Sequence, residues 1–422
     1  MQSVAAVILS TRHRNRAVVS SSLGTTIEWY DFFLYGVAAA TVFPRQFFPS
    51  SDPFVATLLS FSTFFVGFVA RPIGAAVFGH YGDRIGRKAL LVTTMILMGV
   101  ATTGIGLVPS YQAIGIWGAV LLTVGRVLQG MAVGGEWTDP KRRGFTTSFA
   151  QLGAPAGMVL ANGALALMSL VTDEDEFLAW GWRVPFLASV VLVFVGYWIR
   201  IGVLETPVFE RLKAQGKVAS APLVDVLRNH WREVGLTALL RTGQQVPFYI
   251  FTTFIVTYAT QQLQLSRAMV LNLVMLMALI SCFTIPLMGH LSDKVGRRRV
   301  TAIGCWVMVI YPFVYFRMLD TAALPLSSLA ILISLPLHDL QYGPQAAFIS
   351  ESFPGSLRYS GSSLGYQLAS ITAGGPAPII AVLLLRQFGT STSIAVYMAI
   401  CALISLVCVY ALPDRAGSRD QE

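Results

Sequence analysis

The chain has 422 residues, 55% of them hydrophobic and only 12% charged, with a formal net charge of +9. A soluble domain carries roughly 25% charged residues, so half the usual charge is missing and a large water-solvated domain is excluded. The basic residues fall in short clusters between apolar runs, the pattern that orients membrane proteins, and form no contiguous stripe of the kind that binds nucleic acid.

The N-terminal string MQSVAAVILSTRHRNR puts its short apolar stretch before its basic residues. That is the reverse of a secretory signal, so 1–17 reads as a cytoplasmic segment without a cleaved leader. A membrane span needs about 20 mostly apolar residues. Such runs come at 18–43, 54–78, 89–108, 113–137, 145–170 and 183–203. A polar linker, 204–234, precedes six more at 235–258, 268–288, 300–319, 326–349, 360–386 and 392–412, and a tail covers 413–422. The expected fold is all-α, with twelve transmembrane helices in two six-helix bundles, 18–203 and 235–412.

Charge sets the orientation. An inside N-terminus keeps Arg12, Arg14, Arg16, Arg84, Arg87, Lys88, Lys141, Arg142 and Arg143 in the cytoplasm, together with Lys294, Arg297, Arg298 and Arg299. The other side then receives the acidic run 173–176 and scattered cations such as Arg45 and Arg267. Both termini are expected on the cytoplasmic side of the inner membrane.

The two halves repeat. GHYGDRIGRK at 79–88 returns as GHLSDKVGRR at 289–298, an offset of 289 − 79 = 210. A weaker echo pairs Gln151-Leu152 with Gln367-Leu368, each followed by a small-residue and proline stretch, GAPAG and AGGPAP. Gly and Pro interruptions at matching places in two halves point to a central binding site of an alternating-access transporter. The glycine-rich pieces lie inside apolar helices, so they are no phosphate cradle. No nucleophile–base set or metal spacing appears, and Cys282, Cys305, Cys401 and Cys408 all sit within apolar runs. Neither an enzyme nor a bound cofactor or metal is expected.

Ionisable groups inside a membrane are costly and mark function by default. Glu28 lies ~16 Å and Asp31 ~20 Å from the start of the first run, and their i, i+3 spacing puts them on one face. Arg126 reaches a similar depth, ~15–20 Å into the fourth run. Such a carboxylate can take and release a proton, and the arginine offers a bidentate fork to a substrate carboxylate. A fixed Glu–Arg bridge between helices one and four is the alternative reading. His338 and Asp339 are proton-relay candidates, or a polar pair that ties neighbouring helices. Arg241 is a second candidate for the substrate carboxylate, or snorkels towards headgroups. Arg71 reads as a packing brace. Tyr30, Gln151 and Gln367 complete the candidate substrate set, Tyr30 within a crowd of first-helix aromatics of which most face packing.

The duplicated loop resembles the signature of the major facilitator superfamily. GTTIEWYDFF (24–33), RPIG (71–74), GRVLQG (125–130), GGEW (134–137), YGP (342–344) and SESFP (350–354) are similar to strings of its metabolite:proton symporter family. The resemblance covers about residues 20–410, and its motifs are strong in this order. It implies a carrier in the lipid bilayer that moves a small carboxylate-bearing metabolite with protons, by rocking one half against the other; a monomer is expected. It also implies that Gly79, Asp83, Arg84, Gly86, Arg87 and Lys88 form a cytoplasmic gate with Asp293, Gly296 and Arg297, joined by Arg143 and Arg358. Asp83 and Asp293 are each expected to open a charged turn near a helix N-terminus.

One departure concerns the connection after GGEW. Asp83 to Gly144 is 144 − 83 = 61 positions, against 361 − 293 = 68 from Asp293 to Gly361. The fourth-to-fifth connection is therefore short, which bears on gating. An uncoupled uniporter or exchanger, and a non-transporting membrane sensor or partner subunit, stay open as alternatives.

Overall fold

The computed structural model of the protein describes residues 11–49, 52–85, 87–134, 151–201, 228–353 and 358–412. The apolar runs become helices α1 (Thr11–Thr41), α2 (Pro53–Ile85), α3 (Arg87–Leu107), α4 (Ile116–Gly134), α5 (Gly153–Val171) and α6 (Arg183–Ile201). The second half begins with α7, which runs as Trp231–Tyr249, a π-helical turn Ile250–Phe254, and Ile255–Gln261. It continues with α8 (Arg267–Val295), α9 (Arg297–Asp320) and α10 (Leu324–Glu351). Last come α11, built from Arg358–Ala369, a π turn Ser370–Gly374 and Ala377–Phe388, and α12 (Thr392–Ala411). Among the described residues, seven helices are long and apolar enough to cross a membrane by length and composition alone. Neither α1 nor α7 is among them, because polar side chains interrupt both.

Within the first half α1 packs on α5, α2 on α4 and α3 on α6, and α7–α11, α8–α10 and α9–α12 are the matching contacts in the second. The halves meet through α5 against α8, α2 against α11 and α1 against α7. Close approaches at glycine fix the internal symmetry. Gly153 of α5 lies against Thr25, and Gly365 of α11 against Thr237, both offset by 212 (365 − 153; 237 − 25). Gly163 faces Met275 across the interface and Gly375 faces Phe65, again 375 − 163 = 212. Gln151 and Gln367 differ instead by 367 − 151 = 216. They therefore stand about one helical turn, ~6 Å, out of register, and the sequence echo does not mark equivalent sites.

The duplicated segment also differs from its expected form. Asp293 sits in the last turn of α8 rather than at the start of a helix, and the connection to α9 is the single residue Gly296. Gly296 has φ of 103°, a conformation that L side chains rarely adopt, which accounts for the glycine at that place. At a helix C-terminus the macrodipole opposes a carboxylate. Arg297 compensates, lying 3.2 Å from Asp293 and also pairing with Glu351 at the end of α10. Gly79, Asp83 and Arg84 fall within α2 and Arg87 and Lys88 open α3, while Arg358 opens the first piece of α11. Their side chains lie outside the described set, as do Gly86, Arg143 and the whole connection after Gly134 up to Gln151.

Away from the duplicated loops, the acidic run folds into a capped turn. Asp173 accepts from the Glu176 backbone N–H at 2.8 Å and Glu176 returns the bond, forming a capping box. Glu174 points outward from it and takes Arg45 at 2.9 Å and Arg267 at 2.6 Å. Arg267 begins α8, so this pair crosses between the halves. Arg386 of α11 reaches Asp52 at 3.2 Å before α2, and Thr257 donates to the Ala40 carbonyl at 3.3 Å.

Candidate functional site

The centre of the molecule is an aromatic layer with charges threaded through it. From α1 come Trp29, Phe32 and Phe33, from α2 Phe64 and Phe68, and from α7 Phe248 and Tyr249. Phe68 and Tyr249 lie 5.4 Å apart edge to face, and Phe33 and Phe248 5.8 Å, so rings from both halves interlock. Edge-to-face pairs of this kind add about 0.5–1.5 kcal/mol each beyond area burial.

Glu28, Asp31, Arg71 and Arg126 line one narrow cavity with Phe32, Gly67, Met98, Gln129 and Gly130. The helical spacing of the sequence thus does bring both acids and Arg126 together. Arg126 is buried, its guanidinium carbon 4.5 Å from the Phe32 ring centre, 4.4 Å from Tyr35 and 4.8 Å from Phe64. Gly67 makes that pose possible, since a Cβ there would stand 2.4 Å from the arginine Nε. Arg126 donates from Nη1 to Gln129 Oε1 at 3.1 Å. Its Nε and Nη2 are buried without a hydrogen-bond partner among the described residues. A guanidinium solvated by rings on its faces and left open at its edge is primed for a carboxylate.

Asp31 is equally buried. It accepts from the Ser189 hydroxyl of α6 at 2.8 Å, while Thr102 of α3 takes the Gln129 amide at 2.7 Å. Arg71 covers the other face of Phe32 at 4.8 Å and stacks on Phe68 at 4.7 Å. It lies within electrostatic reach of Glu28 in its own half and of Tyr249 and Arg241 in the other. The sequence reading of Arg71 as a brace misses this, because its depth in α2 says nothing about which way it points. Gln129, Thr102 and Ser189 were also missed. Gln129 stands i+3 from Arg126, which was a usable signal, whereas the hydroxyls carry none.

The other candidates are placed elsewhere. The Tyr30 hydroxyl donates to the Pro185 carbonyl at 2.8 Å, towards α6, so it closes a contact inside the first half instead of facing Arg126. Asp339 accepts from Ser281 at 2.8 Å and from Thr284, both on α8. His338 meets the Gln244 amide and backbone carbonyl of α7, each at 3.1 Å. The pair thus spans α10, α8 and α7 and does not join the acids of α1. Arg241 is buried, donates to Gln345 Oε1 at 3.2 Å and stacks on Tyr366 at 3.5 Å, so it does not snorkel. Gln151 is buried with both amide atoms unpartnered among the described residues, and Gln367 is half-buried. Neither lines the Arg126 cavity.

The sequence profile of the Major Facilitator Superfamily matches residues 21–376. The Shikimate transporter of Escherichia coli (strain K12) is 39% identical over 420 residues, covering 96% of each chain. Inner membrane metabolite transport protein YhjE of the same organism is 39% identical over 411 residues, covering 94% of this chain and 93% of its own. Among solved structures, the partially occluded inward-open xylose transporter XylE from E. coli superposes with a TM-score of 0.76 at 18% identity. That match covers 97% of this chain and 100% of the other, a likeness of fold. A two-half helical bundle, charges held at its centre and these matches over nearly the whole length agree: the chain is an integral membrane transporter of the major facilitator superfamily, alongside that family's metabolite permeases.

Proposed function

We propose that the protein carries a small carboxylate-bearing metabolite into the cell together with a proton. Glu28 and Asp31 handle the proton, and Arg126 takes the carboxylate with Arg71 as its neighbour. The observation that carries this reading is the open edge of Arg126, two buried donor atoms without partners among the described residues, in a cavity shared with two acids. The Arg241–Gln345 pair of the second half offers a further polar contact, with Gln345 Nε2 and Arg241 Nε unpartnered among the described residues. His338 and Asp339 hold α10 to α7 and α8 in this scheme. The duplicated loops face the cytoplasm, as the positive-inside pattern favours, and the protein works as a monomer in the inner membrane. Alternating access follows from rocking of the halves about the central site.

The E. coli relative is named for shikimate, a ring carboxylate, so shikimate leads the panel, followed by 2-oxoglutarate, citrate, proline and glycine betaine. Proteoliposomes with an external pH probe give the test. One compound should alkalinise the outside with wild type, and Glu28→Gln and Arg126→Ala should abolish the signal. Uptake of labelled compound without proton movement would replace symport with uniport or exchange. No uptake of any panel member by a correctly inserted protein would sink the substrate class.

A further inference from the structure

The guanidinium of Arg241 repeats, in the second half, the arrangement found at Arg126. Both are buried against aromatic rings, Arg126 among Phe32, Tyr35 and Phe64, and Arg241 3.5 Å over Tyr366 of α11. Both donate from Nη1 to a glutamine Oε1, that of Gln129 at 3.1 Å and that of Gln345 at 3.2 Å. Both keep a buried Nε without a partner among the described residues. The second arrangement leaves a further donor open. An arginine only donates, so Gln345 turns Oε1 to it and Nε2 away, and that Nε2 is buried and unpartnered among the described residues as well. At Arg126 the corresponding Gln129 Nε2 is taken by Thr102 at 2.7 Å.

A guanidinium buried without a counter-charge is costly. Among the described residues no carboxylate pairs with Arg241, because the acids of its half are engaged elsewhere. Glu233 meets His230 at 3.7 Å, and Asp293 and Glu351 share Arg297. Asp320 takes the hydroxyls of Tyr258 and Ser391, and Asp339 those of Ser281 and Thr284. Glu28 and Asp31 line the Arg126 cavity, to which Arg241 does not belong.

We propose that Arg241 and Gln345 form a second anion subsite and that the cargo is a dicarboxylate, held by Arg126 at one end and Arg241 at the other. This rests on the transport reading above and narrows its cargo. A second carboxylate accepts from both open donors and supplies the missing charge. A hydroxyl would leave the charge of Arg241 uncompensated, and an ammonium would be repelled by it. The depths agree. Phe68 of α2 and Tyr249 of α7 stand 5.4 Å apart. Arg71, which shares the Phe32 ring with Arg126, follows Phe68 by ~4.5 Å of helix, and Arg241 precedes Tyr249 by ~12 Å. Both displacements lead away from the face of the acidic run, where Asp52 before α2 and Thr257 late in α7 make their contacts. The remaining axial gap of ~8 Å is one that two arginine side chains and a chain of about four to six carbons can close.

Calorimetry on the purified full-length protein at neutral pH tests this with chain-matched pairs: succinate against butyrate, glutarate against pentanoate, adipate against hexanoate. In at least one pair the dicarboxylate should bind about tenfold or more tightly than its partner, the size of one charge-assisted contact. Arg241→Gln should bring that ratio to within about twofold of unity, and Gln345→Leu, which removes a donor and no charge, should lower it about threefold. Wild-type ratios near one in all three pairs overturn the second subsite and leave the transport reading intact. Shikimate bound more tightly than every dicarboxylate does the same. A folded Arg241→Gln protein that keeps the wild-type ratio also overturns the subsite, and should that variant fail to fold, an unchanged ratio in Gln345→Leu does so in its place. A folded wild type that binds no carboxylate of either kind overturns the transport reading and the subsite with it.

Discussion

Arg126 shows how one residue can be both buried and available. Three aromatic faces replace part of its hydration, and among the described residues one of its donors is engaged by a side chain. Lysine cannot copy this, since its ammonium is a compact charge without a planar fork. Arg126→Lys should therefore lower uptake of the identified substrate by about 10–100-fold, the equivalent of one or two charge-assisted bonds. Initial rates in proteoliposomes at matched insertion measure it. Gly67→Ala should act on the same residue from α2, because the added methyl meets Arg126 Nε. A roughly tenfold fall in uptake with normal folding is expected, and an unchanged rate would show that the guanidinium relaxes freely. That Glu28, Asp31 and Arg126 share one cavity was legible in the sequence, because buried charge is rare and helical spacing is regular. The role of Arg71, and the direction of Tyr30, were not. Both depend on which neighbour a side chain leans towards, and the sequence of one helix does not contain its neighbour.

At the scale of helices, hydrophobic runs located every span, and the largest errors fell at their ends. The runs ended α2 at 78 and α8 at 288, whereas the helices continue to Ile85 and Val295. The polar GHxxD segment still finishes the helical hydrogen bonding, so hydropathy stops before the helix does. The glycine contacts likewise replaced a letter-by-letter match of the glutamines with a register set by touching backbones. Among polar tethers, Asp339 binds α10 to α8 through two hydroxyls. Ser281→Ala should cost about 1–3 kcal/mol of stability by leaving a buried carboxylate short of a donor. Thermal unfolding in detergent would register it as a lower Tm, while the proton-to-substrate ratio stays as in wild type. A lost ratio with unchanged Tm would return Asp339 to the proton path.

The two halves are held together on the face of the acidic run by contacts that differ in kind. Glu174 joins Arg45 in the open and the mostly covered Arg267, Asp52 meets Arg386, and Thr257 bonds Ala40 in a buried setting. Exposed ion pairs contribute about 0–1 kcal/mol each, enough to bias a rocking equilibrium and too little to freeze it. Glu174→Gln should shift the population towards the state open on that face. In a cysteine-free background, maleimide labelling of Ala40→Cys should rise by up to about fivefold, and an unchanged rate would show that the buried contacts alone set the closure. The central cavity holds a more general consequence. Its lining carries two carboxylates and two guanidiniums, so its formal charges cancel when it is empty. A monoanion arriving with one proton leaves that sum at zero, and the loaded carrier then crosses its conformational midpoint without moving net charge through the low-dielectric layer. Cycling with such cargo should be driven by the pH gradient and be indifferent to an imposed potassium diffusion potential. A zwitterion accompanied by a proton would add one positive charge, and each 100 mV would then act on it with about 2.3 kcal/mol. Voltage sensitivity thus reports the charge class of the cargo before its chemical name is known.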